Sequence, residues 1–413
     1  MDRRSLLKAG AAGSATLAAP FVVTRAAHAA NYRAEYRVST VVGTAFPWGK
    51  GAQIWIDLVR ERTQGRINMK LYPGVSLING DQTREFSAIR QGVIDLAVGS
   101  TINWSPQVKE LNLFSLPFLA RDHAGLDALT QGEVGKRILQ IVEKAGVVPL
   151  AWGENGFREV TNSKREIRTP ADMKGLKFRV VGSPIFNDTF TALGANPTQM
   201  SWADAQPALA SGAVEGQENP LHIFTAAKLH TLAQKFVTLW DYVADPLIFV
   251  ANRDVWNAWT PADRDIVRAA AIEAGKQEIA IARKGLSGND MSMVKEVEAL
   301  GVKVTQLTDA ERQAFEKAIP RQARRGRGRG APEGLSDTDR GTHRPGLPGL
   351  LVCGTRRPAQ VPPDARCPIP HRLPRTPRPQ RRRFPRATTA TACPKTGSAR
   401  SSWRCSRRSL SPT

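Results

Sequence analysis

Arg158, Arg179 and Asn219 are the residues of this chain whose type and setting could grip a small anion. Each closes an apolar or mixed run among glycines: Gly156-Phe157-Arg158, Gly175-Leu176-Lys177-Phe178-Arg179 and Gly216-Gln217-Glu218-Asn219. A guanidinium is a planar fork that meets both oxygens of a carboxylate and stays charged at any pH of interest. A lysine would offer only a point charge. A side-chain amide adds a neutral donor. A carboxylate taken out of water must be paired and hydrogen-bonded, so the three residues point to the carboxylate of a small organic acid. Read from the residues alone, a structural alternative stays open: surface or interdomain ion pairs.

Nothing comparable supports catalysis. His123, His222 and His230 are scattered, and neither a metal-spaced His/Glu cluster nor a Ser/His/Asp arrangement can be assembled. Glu215 and Glu218 lie close together, but a glutamate pair at a strand turn is a thin basis for acid–base work. Glu218 or Asp241 could assist a metal ion at a ligand site, although no metal is expected. No Gly-x-Gly-x-x-Gly or Walker loop occurs, so no cofactor is expected. The chain reads as a binder, with an exported two-domain α/β enzyme for a small organic acid as the alternative.

The elements that must position these residues alternate. Strands are expected over 36–42, 67–72 and 93–98, with helices over 48–63 and 81–91 between them. This β-α-β-α-β order implies a parallel sheet flanked by helices, with ligands beyond the C-terminal strand ends. That rule nominates the loops 44–48 and 100–103, which bring in Trp48, Ser100 and Thr101. A helix over 123–145 and a strand over 147–152 lead out of the first domain. The second repeats the pattern: a helix start at Thr169-Pro170-Ala171-Asp172, a strand over 177–181, helices over 184–193 and 202–211, and a strand over 214–217 ahead of Asn219. The apolar stretch 236–250 should return the chain to the first sheet, so Trp240 and Tyr242 could line the pocket or simply pack. Helices beginning at Thr260 and Thr308 and a strand over 302–304 complete the body.

Several of these segments together resemble one family. Glu154-Asn155-Gly156-Phe157-Arg158-Glu159-Val160-Thr161-Asn162-Ser163, Asp172-Met173-Lys174-Gly175-Leu176-Lys177-Phe178-Arg179-Val180 and Val214-Glu215-Gly216-Gln217-Glu218-Asn219-Pro220 are similar to motifs of the DctP-type solute-binding proteins of tripartite ATP-independent periplasmic (TRAP) transporters. Thr63-Gln64-Gly65-Arg66-Ile67 and Leu116-Pro117-Phe118 agree with them. The resemblance covers about residues 35–318. It implies an α/β, two-lobed periplasmic-binding-protein (Venus-flytrap) fold, with two parallel-type sheets flanked by helices and a hinge between lobes. The first lobe would comprise residues 30–154 and about 243–285, the second 155–242 and about 286–320. It also implies a mono- or dicarboxylate ligand and a sodium-coupled TRAP permease as partner. Carried over by position, Arg179 would clamp the carboxylate, Asn219 would hydrogen-bond it, Arg158 would assist and Trp202 would pack on the ligand. Ser100 and Thr101 match the loop of ligand-specific contacts.

Charge and chain ends set the remaining expectations. The net charge of +22 over 413 residues suggests nucleic acid only until its placement is seen. Residues 321–413 hold 22 of the 59 basic residues, 4 of the 37 acidic ones, 14 of the 28 prolines and all four cysteines, Cys353, Cys367, Cys393 and Cys405. The body is thus near neutral, and no nucleic-acid partner is expected. The stretch 321–413 has no helical or strand period and reads as an out-of-frame translation of a GC-rich gene, with a disordered basic tail as the alternative. At the other end, Arg3-Arg4-Ser5-Leu6-Leu7-Lys8, an apolar run and Ala27-His28-Ala29 have the order of an export signal over residues 1–29, of twin-arginine type. The mature protein is expected to be a periplasmic monomer.

Overall fold

The structure, a computed structural model, describes residues 32–320 apart from 287 and 289. The export signal and the arginine-rich stretch 321–413 lie outside the described residues. In chain order the strands are β1 (Tyr36–Ser39), β2 (Met69–Tyr72), β3 (Leu96–Ser100), β4 (Val147–Phe157), β5 (Glu159–Asn162), β6 (Lys177–Val180), β7 (Asn196–Gln199), β8 (Gly216–Asn219), β9 (Phe236–Leu239), β10 (Ala244–Asn252) and β11 (Lys303–Gln306). They form two sheets, ordered β2-β1-β3-β10-β4 and β11-β9-β5-β8-β6-β7.

The result is a two-lobed α/β fold with helices flanking each sheet, and the sheets are mixed rather than parallel. β1 runs parallel to β2 and β3, but β10 is antiparallel to both β3 and β4. In the second sheet β5 is antiparallel to β8 and β9. The reversals arise because the chain passes between sheets twice without a crossover helix. β4 leads directly into β5 at Arg158, and β9 leads into β10 through residues 240–243. These two passages lie side by side, where Arg158 N–H donates to Val243 O at 2.9 Å.

The apolar stretch 236–250 does return the chain to the first sheet, as two strands: β9 still belongs to the second sheet and β10 to the first. No Gly or Pro marks the break; Asp241 makes it, at φ 49°, a left-handed conformation that Asp tolerates better than most residues. β10 is buried along its whole length, which explains why it reads as a continuous apolar run.

Other boundaries moved for local reasons. The region 123–145 is two helices, His123–Gln131 and Glu133–Lys144, divided at Gly132. The region 81–91 is a short 3-10 turn, Gln82–Arg84, running into the helix Glu85–Arg90. The first-domain strand expected over 93–98 lies at Leu96–Ser100, so Ser100 ends the strand and caps the helical turn Thr101–Trp104. Trp104 folds back over Gly99, where a Cβ would sit 1.9 Å from its ring. The strand expected over 214–217 lies at Gly216–Asn219, and glycine is needed at its start because the Phe178 ring lies 2.4 Å from where a Cβ would be. The caps at Thr260 and Thr308 form as the sequence suggests, each hydroxyl accepting from the N–H three residues on. No described helix is long and apolar enough to cross a membrane.

Candidate functional site

β6 aims Arg179. Its strand neighbours Phe178 and Val180 join the apolar cluster of the second lobe, so the alternation of the strand turns Arg179 to the opposite face. There its guanidinium is 2% exposed. Nε and Nη2 both donate to one backbone carbonyl, Met200 O, at 3.1 and 2.9 Å, and the group lies 5.7 Å from the centre of the Trp202 ring. It makes no ion pair among the described residues, and Nη1 has no hydrogen bond there. Burial pulls its pKa down to about 10; Glu218 opposes this and the like charge of Arg158 adds to it. Arg179 is thus a buried, charged fork with one edge unused.

Arg158 is the opposite case. It donates to both oxygens of Glu218, to Glu218 O at 2.8 Å, to Asn219 Oδ1 at 2.9 Å and to Asp245 Oδ2 at 3.0 Å. Burial works against its charge, but the two carboxylates outweigh it and raise its pKa. Asp245 also accepts from Ser100 Oγ and Asn155 Nδ2, while burial, the largest influence, lifts its carboxyl above the ordinary range. Tyr242 OH reaches Glu218 at 3.2 Å. Arg158 therefore joins β8 of the second lobe to β10 of the first.

Asn219 ends β8, in register with Glu159. Because its Oδ1 faces Arg158, its amide nitrogen must face the other way, where it donates to Gln217 Oε1 at 2.6 Å and keeps one hydrogen free. Arg158, Arg179, Asn219 and Trp202 line one cavity of about 20 Å³ between the lobes. The first lobe contributes Val41, Val42, Trp48, Gln82, Asn103, Asn155 and Asp245, of which Asp245 alone carries a charge, and that charge is paired with Arg158. Trp48 is held by its Nε1–H on Val98 O at 2.6 Å. Gln82 spans the lobes, accepting from Trp202 N–H at 2.9 Å and donating to Asn103 Oδ1 at 2.8 Å. A cavity of this size holds little more than one water-sized body. A hollow of about 570 Å³ bounded by Gln140, Glu143, Lys144 and Arg253 is a surface feature of exposed side chains, with no buried polar group.

Three of the residues expected at the site lie elsewhere. Trp240 is fully buried in the second-lobe core against Phe190, Tyr242 and Phe315, with its Nε1–H on Arg158 O. Ser100 spends its hydroxyl on Asp245 and on capping Ile102 and Asn103. Thr101 is buried beside it and does not reach the lining. Asn103, the end of the nominated loop 100–103, does reach the lining, while sequence reasoning missed Gln82, Asn155 and Asp245. Asp245 left a signal: a lone carboxylate inside an apolar stretch demands a buried partner. Of the two residues considered for metal assistance, Glu218 is held by Arg158, and Asp241 pairs with Arg312 at 3.1 Å. No group of three or more His, Cys, Asp or Glu placed to hold a metal occurs among the described residues.

Ser39 and Trp104, close in sequence to the first-lobe lining, both donate to Glu85, at 2.6 and 3.0 Å. Burial pushes the Glu85 carboxyl up to about 7, against both hydrogen bonds. An acid with a raised folded-state pKa favours folding in its protonated form. Its contribution is full below the ordinary glutamate value and is lost as pH rises towards 7. Glu85→Gln is expected to flatten the stability profile between about pH 4.5 and 7 and to gain up to roughly 3 kcal/mol over the parent at pH 8. Urea midpoints of the two proteins that stay parallel across that range would show that Glu85 does not titrate there.

The chain has recognisable relatives. Residues 38–325 match DctP, the bacterial extracellular solute-binding protein family 7. A TRAP periplasmic solute-binding protein from Ralstonia eutropha H16, solved with bound (S)-2-hydroxy-2-methyl-3-oxobutanoate ((S)-2-acetolactate), is 72% identical, with a TM-score of 0.69 over 70% of this chain and 92% of that one. The 2,3-diketo-L-gulonate-binding periplasmic protein YiaO of Escherichia coli K12 is 34% identical over 65% of this chain and 79% of its own length. The C4-dicarboxylate-binding periplasmic protein DctP of Rhodobacter capsulatus is 29% identical over 68% and 83%.

Proposed function

Because this chain belongs to the bacterial extracellular solute-binding proteins of family 7, we propose that it is the receptor that captures a small monocarboxylic acid and delivers it to the membrane permease of a TRAP transporter. It works as a monomer in the periplasm, exported on the twin-arginine-type signal of residues 1–29. The ligand carboxylate lies on the free edge of Arg179, takes a second hydrogen bond from Asn219 and packs against Trp202.

The observation that carries this reading is the unpaired charge of Arg179. A buried cation without an anion is costly, and the one edge of its fork left without a bond is where a carboxylate would complete it. The charge count also favours one carboxylate. Arg158 is matched by Glu218 and Asp245, and the rest of the first-lobe lining carries no charge, so a second carboxylate would be buried without a partner. Val41, Val42, Val181 and Ile223 in the lining suit small alkyl groups. The Ralstonia relative supports the same class, since its bound ligand is a single carboxylate with methyl, hydroxyl and oxo groups.

Thermal denaturation against a panel of short acids, their amides and the matching dicarboxylates tests the reading. Monocarboxylates should raise the melting temperature, amides should do nothing, and succinate should act weakly. Equal shifts from an acid and its amide would overturn it.

A further inference from the structure

Resting on that reading, we propose that the cavity is keyed to a hydroxy acid, and that Asn155 is the residue that takes the hydroxyl. Asn155 sits on β4 where the chain leaves the first lobe, lines the cavity and is 2% exposed. Its Nδ2 donates to Asp245 Oδ2 at 2.9 Å. Ser100 Oγ and Arg158 Nη1 donate to the same carboxylate. Three donors converging on one carboxylate leave it a pure acceptor, and this fixes which way round the Asn155 amide lies. Its Oδ1 must face away from Asp245, and there it is buried without a hydrogen-bond partner. The main chain there is anchored by His222 Nε2–H on the Asn155 backbone carbonyl at 2.5 Å, and the side chain by its bond to Asp245. A buried carbonyl of this kind costs about 1–3 kcal/mol until a donor reaches it.

The other spare atoms of the cavity are donors. Arg179 Nη1 and the second hydrogen of the Asn219 amide serve the carboxylate. Asn103 supplies a third, and its polarity is set by closure. The Trp202 N–H can only donate, so it takes Gln82 Oε1; Gln82 Nε2 then takes Asn103 Oδ1, and Asn103 Nδ2 is left with no partner among the described residues. A plain alkyl acid would satisfy the donors through its carboxylate and leave Asn155 Oδ1 orphaned. An acid that also carries one O–H gives that carbonyl its donor.

Calorimetry on pairs that differ only in the hydroxyl tests the assignment, with 2-hydroxyisobutyrate against isobutyrate as the core pair and homologues up to six carbons beside it. The protein is expected to prefer the hydroxy acid by about tenfold or more. In Asn155→Ala the preference should fall to within about twofold, whatever the change in the affinity for the plain acid. A ligand-side arm needs no variant: the methyl ether, which keeps the oxygen and loses the proton, should bind no better than isobutyrate. Equal binding of hydroxy and plain acids, equal binding of the ether and the alcohol, or a preference that survives in Asn155→Ala would each overturn the assignment. Acids that bind without any hydroxyl preference sink this inference alone; failure of every acid in the panel sinks the receptor reading with it.

Discussion

Arg179→Met is expected to melt a few degrees above the parent protein when no acid is present, and to ignore every acid added. The two effects share one cause. In the free protein the guanidinium is buried beside Trp202 with no counter-ion, and its desolvation costs several kcal/mol. Methionine fills much of the same space without that cost. The substitution leaves Met200 O without its two donors, which returns about 1–3 kcal/mol. The net gain is about 1 kcal/mol, or roughly 2–4 °C for a protein of this size. Binding loses the cationic half of a desolvated pair, about 2–5 kcal/mol, which is roughly a 30- to 4,000-fold fall in affinity. Arg179→Lys keeps the charge but not the fork, and should fall between the two. Calorimetric titration with the best acid of the panel, beside melting curves without ligand, reads both effects. A variant that melts lower and still shows the full acid-induced shift would make Arg179 a structural residue.

How much of this was legible in the sequence follows from where each interaction is decided. Arg179, Asn219, Arg158 and Trp202 sit in ordered local motifs, and the cavity gathers all four. The helix starts at Thr260 and Thr308 are also local, since a hydroxyl and an N–H three residues on are enough to make them. Asn155 and Asn103 are different. Each is an amide with two usable ends, and which end is spare depends on a partner 90 residues away in one case and on a chain through Gln82 to Trp202 in the other. No spacing rule reports that. Ser100 and Thr101 were placed by strand topology in the correct region, but their hydroxyls turn to the cap and the core. Trp240 takes the packing alternative rather than the pocket one, and the division of 236–250 between two sheets was not legible, because a chain that changes sheets needs no turn residue to announce it.

Arg158 lines the cavity and also holds the lobes together, through five hydrogen bonds to Glu218, Asn219 and Asp245. Arg158→Ala should therefore cost stability before it costs binding. The change leaves Glu218 and Asp245 buried, 0% and 1% exposed, without their shared cation. Breaking a buried pair in this way costs about 3–5 kcal/mol, or roughly 10 °C of melting temperature. The sign with pH follows. Burial already lifts the Asp245 carboxyl above its ordinary range and loss of the cation favours its protonated form further, so the variant's deficit should be largest at pH 8 and shrink as pH falls and Asp245 takes up a proton. Removing the charges together, as Arg158→Met with Glu218→Gln and Asp245→Asn, should recover much of the lost stability. If Arg158→Ala melts like the parent and loses only acid binding, the arginine is a ligand contact after all. The triple variant also separates two reasons for having the ions. Well-packed neutral groups can be as stable as a buried ion network, so stability alone does not account for Arg158. What the neutral version cannot supply is direction. Arg158 turns the Asn219 amide so that its N–H faces the cavity, and Asp245 turns Asn155 so that its oxygen does. The triple variant should then fold, melt near the parent, and bind acids with weakened affinity and no preference for a hydroxyl.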